Sequence, residues 1–296
     1  ITTGLDLENE DGLVWIKALS STQNHAWFDT TRPGAYLSSS LTNGSASISN
    51  GLTAFTSSGF TLGNNAICNA NNVRYISYSL KSQNRFFRIL RYTGTGSGVP
   101  AIPHDLGADI DCAIIKRLDT NSPWYLWHRQ RTGTGSTEGY MNLNTVGPFS
   151  TTNNPFDFYF GGSDDTKLCV RYDANVLDAQ YIAYIFADNR NLTDIGYYIG
   201  NGTSTGPVVT CGGGWRPQFA MVKPYDYTGS WIIQDAIRDT DDPRQLALLV
   251  NSNAIESTST SYAMNFLENG FQAANGNNAV NRLDIRYLTL AFREAA

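Results

Sequence analysis

The residues best suited to chemistry form a pattern that occurs three times: a lysine, an aspartate or histidine twelve residues later, and an arginine three residues after that. The copies are Lys17, Asp29 and Arg32; Lys116, His128 and Arg131; and Lys223, Asp235 and Arg238. An ammonium, a carboxylate and a guanidinium brought together could grip a polar ligand. The spacing instead favours an ion pair that holds a loop, contributing about 0–1 kcal/mol if exposed. The histidine in one copy argues against a shared catalytic role.

No other group of residues indicates an enzyme. The histidines His25, His104 and His128 lie outside recognisable metal-binding or nucleophile motifs. Paired carboxylates at Asp164-Asp165 and Asp241-Asp242 could serve a glycosidase or a Ca²⁺ site. Adjacent aspartates in a turn are more typical of solvated turns. We therefore predict no catalytic residue, no metal ligand and no cofactor.

Aromatic residues beside polar ones hint at a ligand-binding surface. Trp124, Tyr225 and Tyr227 fall between the repeated lysine and the Asp/His position, next to a turn. Aromatic faces near Asp and Asn side chains suit sugar recognition, so these three residues are candidate contacts to a glycan or receptor. Three tryptophans recur close to the Asp/His position at a variable offset, which favours a place in the core: Trp27, Trp127 and Trp231.

Composition excludes several classes of protein. The 296 residues include 21 Lys and Arg against 26 Asp and Glu, a net charge of −5, which argues against a nucleic-acid partner. No run of about 18 apolar residues occurs, so we expect no membrane insertion. Aromatic residues make up 12%, enough to build a core. Cys112 and Cys169 lie in apolar runs and are predicted to be buried thiols.

A repeat of 106 residues organises these features. Tyr75, Tyr181 and Tyr287 lie in similar strand-like segments and are 106 residues apart both times. With the lysine pattern, this spacing predicts three units, which we call units one, two and three: residues 1–84, 85–190 and 191–296. Unit one lacks about 22 residues at its front, which carry a strand and a glycine-rich turn in the other units. Gly59-Phe60 and Gly270-Phe271 mark units one and three only.

Short apolar runs bounded by Gly, Asn, Pro or Asp predict β-strands throughout the chain. Residues 181–186 are all apolar or aromatic, which predicts a strand buried on both faces. One short helical turn is predicted at residues 243–250, after a typical helix start. The predicted fold class is all-β, with tandem, jelly-roll-like β-sandwich repeats of about 106 residues.

The repeated segments resemble a known family. The matching segments are residues 12–17 (GLVWIK), 27–29 with Arg32, and 55–63 in unit one, and residues 215–223 and 265–271 in unit three. They resemble a repeat domain of virion structural and tail-fibre-like proteins of marine tailed phages, particularly cyanophages. Unit two departs from the pattern, with His128 for aspartate and no clear Gly-Phe pair. The resemblance implies a non-enzymatic virion part, assembled in the host cytoplasm, with no catalytic residues to carry over.

We therefore expect a phage structural protein on the outside of the particle. Its expected place is a tail fibre or a tail-associated protein that contacts a host glycan or receptor. Two alternatives remain open: a capsid decoration or cement protein, and a carbohydrate-active enzyme on a β-sandwich. The expected partners are other virion proteins and further copies of the chain, assembled as a trimer.

Overall fold

The strands of the chain fall into three successive groups, one in each unit. A computed structural model describes residues 1–129, 139–157 and 167–293. The chain is nearly all β and consists of antiparallel sheets, which confirms the all-β class. Each named ladder joins strands of the same unit.

Unit one is a small sheet flanked by two hairpins. Its elements are β1 (Gly12–Ala18), β2 (Ala26–Asp29), β3 (Ala35–Tyr36), β4 (Ala46–Ser47), β5 (Leu52–Thr56), β6 (Gly59–Leu62), helix α1 (Ala66–Asn69) and β7 (Tyr75–Lys81). The main sheet has the order β2-β1-β7, and the hairpins are β3-β4 and β5-β6. Helix α1 begins after Asn65, whose side chain accepts a hydrogen bond from the N–H of Ile67.

Unit two has a larger main sheet. Its elements are β8 (Phe87–Thr93), β9 (Ala101–Pro103), β10 (Cys112–Arg117), β11 (Trp124–His128), β12 (Met141–Asn142), β13 (Lys167–Cys169), a 3₁₀ turn (Tyr172–Ala174) and β14 (Gln180–Phe186). The main sheet has the order β12-β11-β10-β14-β8, and β9 pairs with β13.

Unit three repeats the main sheet of unit two. Its elements are β15 (Thr193–Ile199), β16 (Val208–Thr210), β17 (Phe219–Pro224), β18 (Ile232–Asp235), β19 (Leu248–Leu249), a 3₁₀ turn (Thr260–Tyr262), β20 (Met264–Leu267), β21 (Gly270–Ala273) and β22 (Arg286–Phe292). The main sheet has the order β15-β22-β17-β18-β19, and a second sheet has the order β16-β21-β20.

Ladder register places the repeated residues at equivalent points in every unit. The repeated tyrosine pairs with the residue that follows the repeated lysine: Tyr75 with Ala18, Tyr181 with Arg117, and Tyr287 with Pro224. The Asp/His position pairs with the residue four before that lysine: Asp29 with Leu13, His128 with Cys112, and Asp235 with Phe219. The sequence repeat is therefore also a repeat of backbone pairing.

Each repeated tyrosine anchors the loop before its own strand. Its hydroxyl donates to a carbonyl eight or nine residues earlier and accepts from the N–H five residues earlier. The carbonyls belong to Ala66, Asp173 and Asn278, at 2.7, 2.8 and 2.7 Å. The N–H groups belong to Ala70, Val176 and Arg282, at 2.9, 3.1 and 2.8 Å. A hydroxyl bonded on both sides explains why tyrosine rather than phenylalanine recurs.

A glycine begins the second strand of a hairpin in units one and three. Gly59 and Gly270 have φ of +152° and +159°. A Cβ atom at these positions would collide with the carbonyl oxygens of Ile1 and Val209, respectively. Backbone conformation and close approach thus both require glycine at this mark.

The main sheets are covered on both faces. One face of each packs into a core that combines side chains of all three units, including Trp27, Ile114 and Met221; we call this the shared core. The other face packs within its own unit. Burial on both faces explains the continuous apolar strand at 181–186, every residue of which is buried as predicted.

The helical turn predicted at residues 243–250 is wrong. Arg244 forms an antiparallel bridge with Met264, and residues 248–249 form β19. The carboxylate of Asp239 accepts from the backbone N–H groups of Gln245 and Leu246, at 2.6 and 3.0 Å. These bonds and the bridge hold the segment as a loop that leads into β19.

Within residues 1–84, no strand pairs with β7 on the side that β8 and β15 occupy in the other units. β8 pairs with β14, and β15 pairs with β22, along seven residues each. The equivalent strand β7 is instead the last strand of its sheet. All residues of β7 are half-buried, whereas β14 is buried from Tyr181 to Phe186. Among the described residues, β7 is therefore the edge strand of its sheet.

Hydrogen exchange tests this edge. We expect the amides of Ser77 and Ser79 in β7 to exchange faster than those of Ala183 and Ile185 in β14, because only β14 has a neighbouring strand on both sides. Native-state exchange followed by NMR measures the two pairs in one sample. Equal protection of the two pairs would contradict the free edge.

Candidate functional site

The repeated lysines join the units to one another. Each lysine is buried, and its Nζ donates to one carbonyl of its own unit and one of another unit. Within their units, Lys17, Lys116 and Lys223 donate to Ala18, Ser122 and Gly229 at 2.7, 2.7 and 2.5 Å. Across units, they donate to Asn253, Thr42 and Val146 at 3.4, 2.8 and 3.0 Å. Each lysine is displaced along its strand from the aspartate position, so the three charged groups do not converge on a ligand.

These contacts run in one direction. Unit one donates to unit three, unit three to unit two, and unit two to unit one. In each unit, one residue pairs across the sheet with the residue two before the Asp/His position. These residues, which we call the pairing residues, are Leu37, Met141 and Leu248. The acceptors Thr42, Val146 and Asn253 each lie five residues after a pairing residue. Three equivalent interfaces in the same direction close a ring of approximate threefold symmetry, which we call the three-unit ring.

Backbone hydrogen bonds repeat this arrangement. The N–H eight residues after each pairing residue donates to the carbonyl two residues after the repeated lysine of a neighbouring unit. The pairs are Ser45 to Leu118, Phe149 to Tyr225 and Glu256 to Leu19, at 2.8, 3.0 and 2.9 Å. The interfaces are therefore equivalent in backbone as well as in side chains.

The residue four positions before each Asp/His makes a third set of cross-unit bonds. His25, Trp124 and Trp231 occupy this position and are buried. The contacts to carbonyl oxygens are His25 Nε2 to Leu249, Trp124 Nε1 to Ser38 and Trp231 Nε1 to Asn142, at 3.0, 2.9 and 3.0 Å. All three acceptors follow directly after the pairing residues.

His25 occupies the position of Trp124 and Trp231, and as a neutral imidazole it can donate one N–H as their indoles do. The N–H of Trp15 can only donate, so Nδ1 of His25 accepts from it at 2.9 Å, and the proton sits on Nε2. Burial lowers the pKa of His25 to about 3, and the charge of Lys17 acts in the same direction. The imidazole is therefore uncharged at neutral pH, which suits a packing role.

The repeated carboxylates form buried ion pairs in units one and three. The pairs join Asp29 to Arg32 and Asp235 to Arg238. Each carboxylate also accepts from a tyrosine of another unit: Tyr184 donates to Asp29 at 2.9 Å, and Tyr78 to Asp235 at 2.8 Å. Burial raises the pKa of both phenols well above its ordinary value, so they remain donors. The predicted aspartate–arginine pairs therefore link units and are buried rather than exposed.

The third interface replaces both members of this contact. Unit two has His128 at the aspartate position, and unit three has Leu290 at the tyrosine position. Leucine cannot donate a hydrogen bond, so a carboxylate in place of His128 would lose its tyrosine donor. Nε2 of His128 instead lies 3.1 Å from the carbonyl oxygen of Thr289 in unit three. Arg131, the third member of this copy, lies outside the described residues.

The tyrosines that cross the interfaces are not among the residues predicted from the sequence. Tyr78 and Tyr184 each lie three residues after a repeated tyrosine, where unit three has Leu290. The sequence does show that His128 replaces an aspartate and that Leu290 replaces a tyrosine. The two replacements lie in different units, so only the three-unit ring shows that they belong to the same interface.

Two of the three aromatic candidates are buried. Trp124 is 0% exposed and Tyr225 5%. Both lie in the shared core, where Tyr225 stacks on Phe149 of unit two with ring centroids 4.5 Å apart. Tyr227 is 36% exposed, with the guanidinium of Arg282 4.2 Å from its ring centroid. The structure thus gives Trp124 and Tyr225 packing roles, and ligand contact by Tyr227 stays a prediction.

A cavity of about 760 Å³ lies in the shared core beside β7. The equivalent residues Leu80, Phe186 and Phe292, one from each unit, contribute to its wall. Phe86 and Leu192, which directly precede β8 and β15, also line it. Among the described residues, unit one contributes no equivalent of these two residues to the wall. The volume is that of a small-molecule site.

Other chemistry is limited within residues 1–129, 139–157 and 167–293. No group of three or more His, Cys, Asp or Glu side chains there could hold a metal ion. Asp242 pairs with Arg216 and Arg244, and Asp164-Asp165 lies outside these residues. Four cysteines are buried, as predicted for the second and third: Cys68, Cys112, Cys169 and Cys211.

In the described part of the chain, no helix has the length and apolar character needed to cross a bilayer.

The fold and the cross-unit contacts define a nearly all-β protein built as a three-unit ring. Residues 2–296 match the family described as a domain of unknown function, DUF7483, so the chain belongs to this family. No curated protein and no solved structure matches the chain. The family match covers all three units, which makes the complete ring, rather than one unit, the region that the family defines.

The buried lysines predict a stability that rises with pH. Burial lowers the pKa of Lys17 and Lys116 to about 8 and that of Lys223 to about 7. From about pH 7 to about pH 8.5, the unfolded chain therefore binds more protons on these amines than the folded chain, and the free energy of unfolding increases with pH. Urea titrations across this range measure the slope. Lys223→Met should reduce it, and a flat profile for the native protein would contradict the lowered pKa values.

The altered interface predicts a coupled double mutant. His128→Asp alone should destabilise the protein by about 1–3 kcal/mol, because a buried carboxylate there would face Leu290 without a tyrosine donor. Adding Leu290→Tyr should recover part of this loss by supplying the donor. Denaturant unfolding of the native protein, both single mutants and the double mutant gives the coupling free energy. Additive effects would show that the two positions do not interact.

Proposed function

We propose that the chain is a non-enzymatic structural protein on the outside of a phage particle, in a tail fibre or a tail-associated protein that contacts the host. One observation carries the non-enzymatic part of this proposal: the repeated charged residues close the three-unit ring. In an enzyme, convergent charged groups face a cleft that a substrate can enter. Here the lysines face backbone carbonyls, and the aspartates face an arginine and a tyrosine.

The proposed location on a phage particle draws on the resemblance of units one and three to the repeat domain of tail-fibre-like proteins. We further propose that each unit is a jelly-roll-like β-sandwich. In unit three, the first strand pairs with the last (β15 with β22), and the second with the last but one (β16 with β21). Pairing from the outside inward is the arrangement of a jelly roll.

Threefold symmetry supports a role in a larger assembly. A single chain with three equivalent interfaces offers a threefold-symmetric partner nearly the same outline as a homotrimer would. Attachment to other virion proteins therefore does not require three copies of the chain, and a trimer of whole chains stays a prediction. Within the host-contact role, Tyr227 is the exposed aromatic candidate for a glycan.

Localisation in particles tests the proposal. Antibodies raised against the folded chain should label the tails of intact particles, and the chain should sediment with washed particles at a fixed copy number. A phage enzyme made in the same infected cells serves as the control for trapped lysate protein. Labelling of the capsid would favour a capsid decoration protein over a tail protein. Absence of the chain from washed particles would contradict the proposal that it is a virion protein. Release of reducing sugars from host polysaccharide would overturn the non-enzymatic role.

A further inference from the structure

One acceptor segment of the three-unit ring contains a dipeptide that can change its own covalent structure. In unit one, residues 43–44 are Asn-Gly and lie between Thr42 and Ser45, which both contact unit two. We propose that Asn43 is a site of spontaneous deamidation, and that the isoaspartate formed there opens the interface between units one and two. This inference goes beyond the virion function and does not depend on it.

The reaction needs only the two residues and water. The Gly44 nitrogen attacks Cγ of Asn43 and forms a C–N bond, the bond from Cγ to Nδ2 breaks, and the N–H proton of Gly44 leaves with the amide as ammonia. Water then opens the cyclic imide. Attack of water on Cγ gives aspartate, whereas attack on the backbone carbonyl carbon leaves Gly44 bonded to Cγ, which is isoaspartate.

The reacting groups at this dipeptide are available. Asn43 is exposed, and among the described residues neither its side-chain amide nor the Gly44 N–H has a hydrogen-bond partner. Glycine has no Cβ atom, so no side chain shields the attacking nitrogen. An unbonded nucleophile and an unbonded amide therefore stand next to each other on an accessible segment.

The Asn-Gly pair at residues 201–202 shows the opposite arrangement. Nδ2 of Asn201 donates to the carbonyl of Thr205 at 2.9 Å, and the Gly202 N–H donates to the carbonyl of Asn281 at 3.0 Å. These bonds must break before the imide can form. Asn43 should therefore react at least about tenfold faster than Asn201 in the folded chain.

Hydrogen bonds on both sides of the Asn43-Gly44 pair hold unit two. Before it, the carbonyl of Thr42 accepts from Nζ of Lys116 and from the N–H of Ser122, both at 2.8 Å. After it, the N–H of Ser45 donates to the carbonyl of Leu118 at 2.8 Å. Isoaspartate adds a methylene to the backbone between these contacts, about 1.5 Å of chain. The lengthened segment no longer matches both sets of bonds.

Close packing at this point leaves no room for a longer chain on the side of unit two. A Cβ atom on Gly44 would lie 2.5 Å from the carbonyl oxygen of Leu118. The segment can therefore bulge only outward, which draws Thr42 or Ser45 away from its partner. Units two and three carry Gly-Pro and Ala-Ile at the equivalent positions, residues 147–148 and 254–255. Their interfaces thus serve as internal controls.

Peptide mapping tests the modification. The folded chain is kept in heavy-oxygen water at mildly alkaline pH and digested in ordinary water, and electron-transfer mass spectrometry distinguishes aspartate from isoaspartate at each site. Label should accumulate at Asn43 at least about tenfold faster than at Asn201, and the difference should disappear in urea, where the bonds at Asn201 are broken. Asn43→Gln, whose longer side chain closes a larger ring slowly, is the matched control. It retains the Asn-Gly pair at residues 50–51, so a difference between the two chains belongs to Asn43.

Hydrogen exchange tests the effect on the ring. In aged chain purified by ion exchange, the amide of Ser45 should exchange at least about tenfold faster than in fresh chain. The amides of Phe149 and Glu256, which make the equivalent bonds at the other two interfaces, should be unchanged. Asn43→Asp gains the same charge without the added methylene and should keep the exchange rate of fresh chain at Ser45.

Three results would overturn the proposal. The first is conversion of Asn43 no faster than that of Asn201 in the folded chain. The second is unchanged exchange at Ser45 after conversion. The third is an equal loss of protection in Asn43→Asp, which would assign the effect to charge rather than to the lengthened backbone. The particle experiment above is independent of all three.

Discussion

The burial of three lysine ammonium groups between the units is the constraint on which the ring depends. An ammonium taken out of water needs carbonyl oxygens in place of the lost hydration. Each unit supplies only one of the two carbonyls that its lysine contacts, and a neighbour supplies the other. The same face of each main sheet is apolar and meets its counterparts in the shared core. A separate unit would therefore expose an apolar sheet and leave a charged group half-satisfied, which makes the three-unit ring the smallest self-sufficient structure.

Much of the local structure is predictable because it depends on side chains. Strand runs, the Gly-Phe hairpins and the recurring Tyr75, Tyr181 and Tyr287 all carry a direct signal in residue type. The cross-unit acceptors carry none, because a backbone carbonyl is the same at every residue. Thr42, Val146 and Asn253 are equivalent in space but share no side-chain character. The closure of the ring is for that reason invisible in the sequence, although the lysines that make it are its clearest motif.

Period-two alternation places the recurring tryptophans in different parts of the core. Trp27 lies two residues before its aspartate and faces the shared core, whereas Trp127 lies one residue before His128 and faces the core of its own unit. A recurring tryptophan near the same mark thus has two different structural roles. Trp124 and Trp231 occupy the position of His25. The rings differ in shape, and what all three units share is a ring N–H directed at a carbonyl oxygen of a neighbouring unit.

The exchange at His128 and Leu290 shows what a ring encoded in one chain permits. In a homotrimer, one codon specifies the same residue at all three contacts, so a change that suits one of them must be tolerated by the other two. Here each contact has its own pair of codons, and one pair has diverged while Asp29 with Tyr184 and Asp235 with Tyr78 have not. Because the duplicated units are separate segments of one gene, each interface can change without changing the other two.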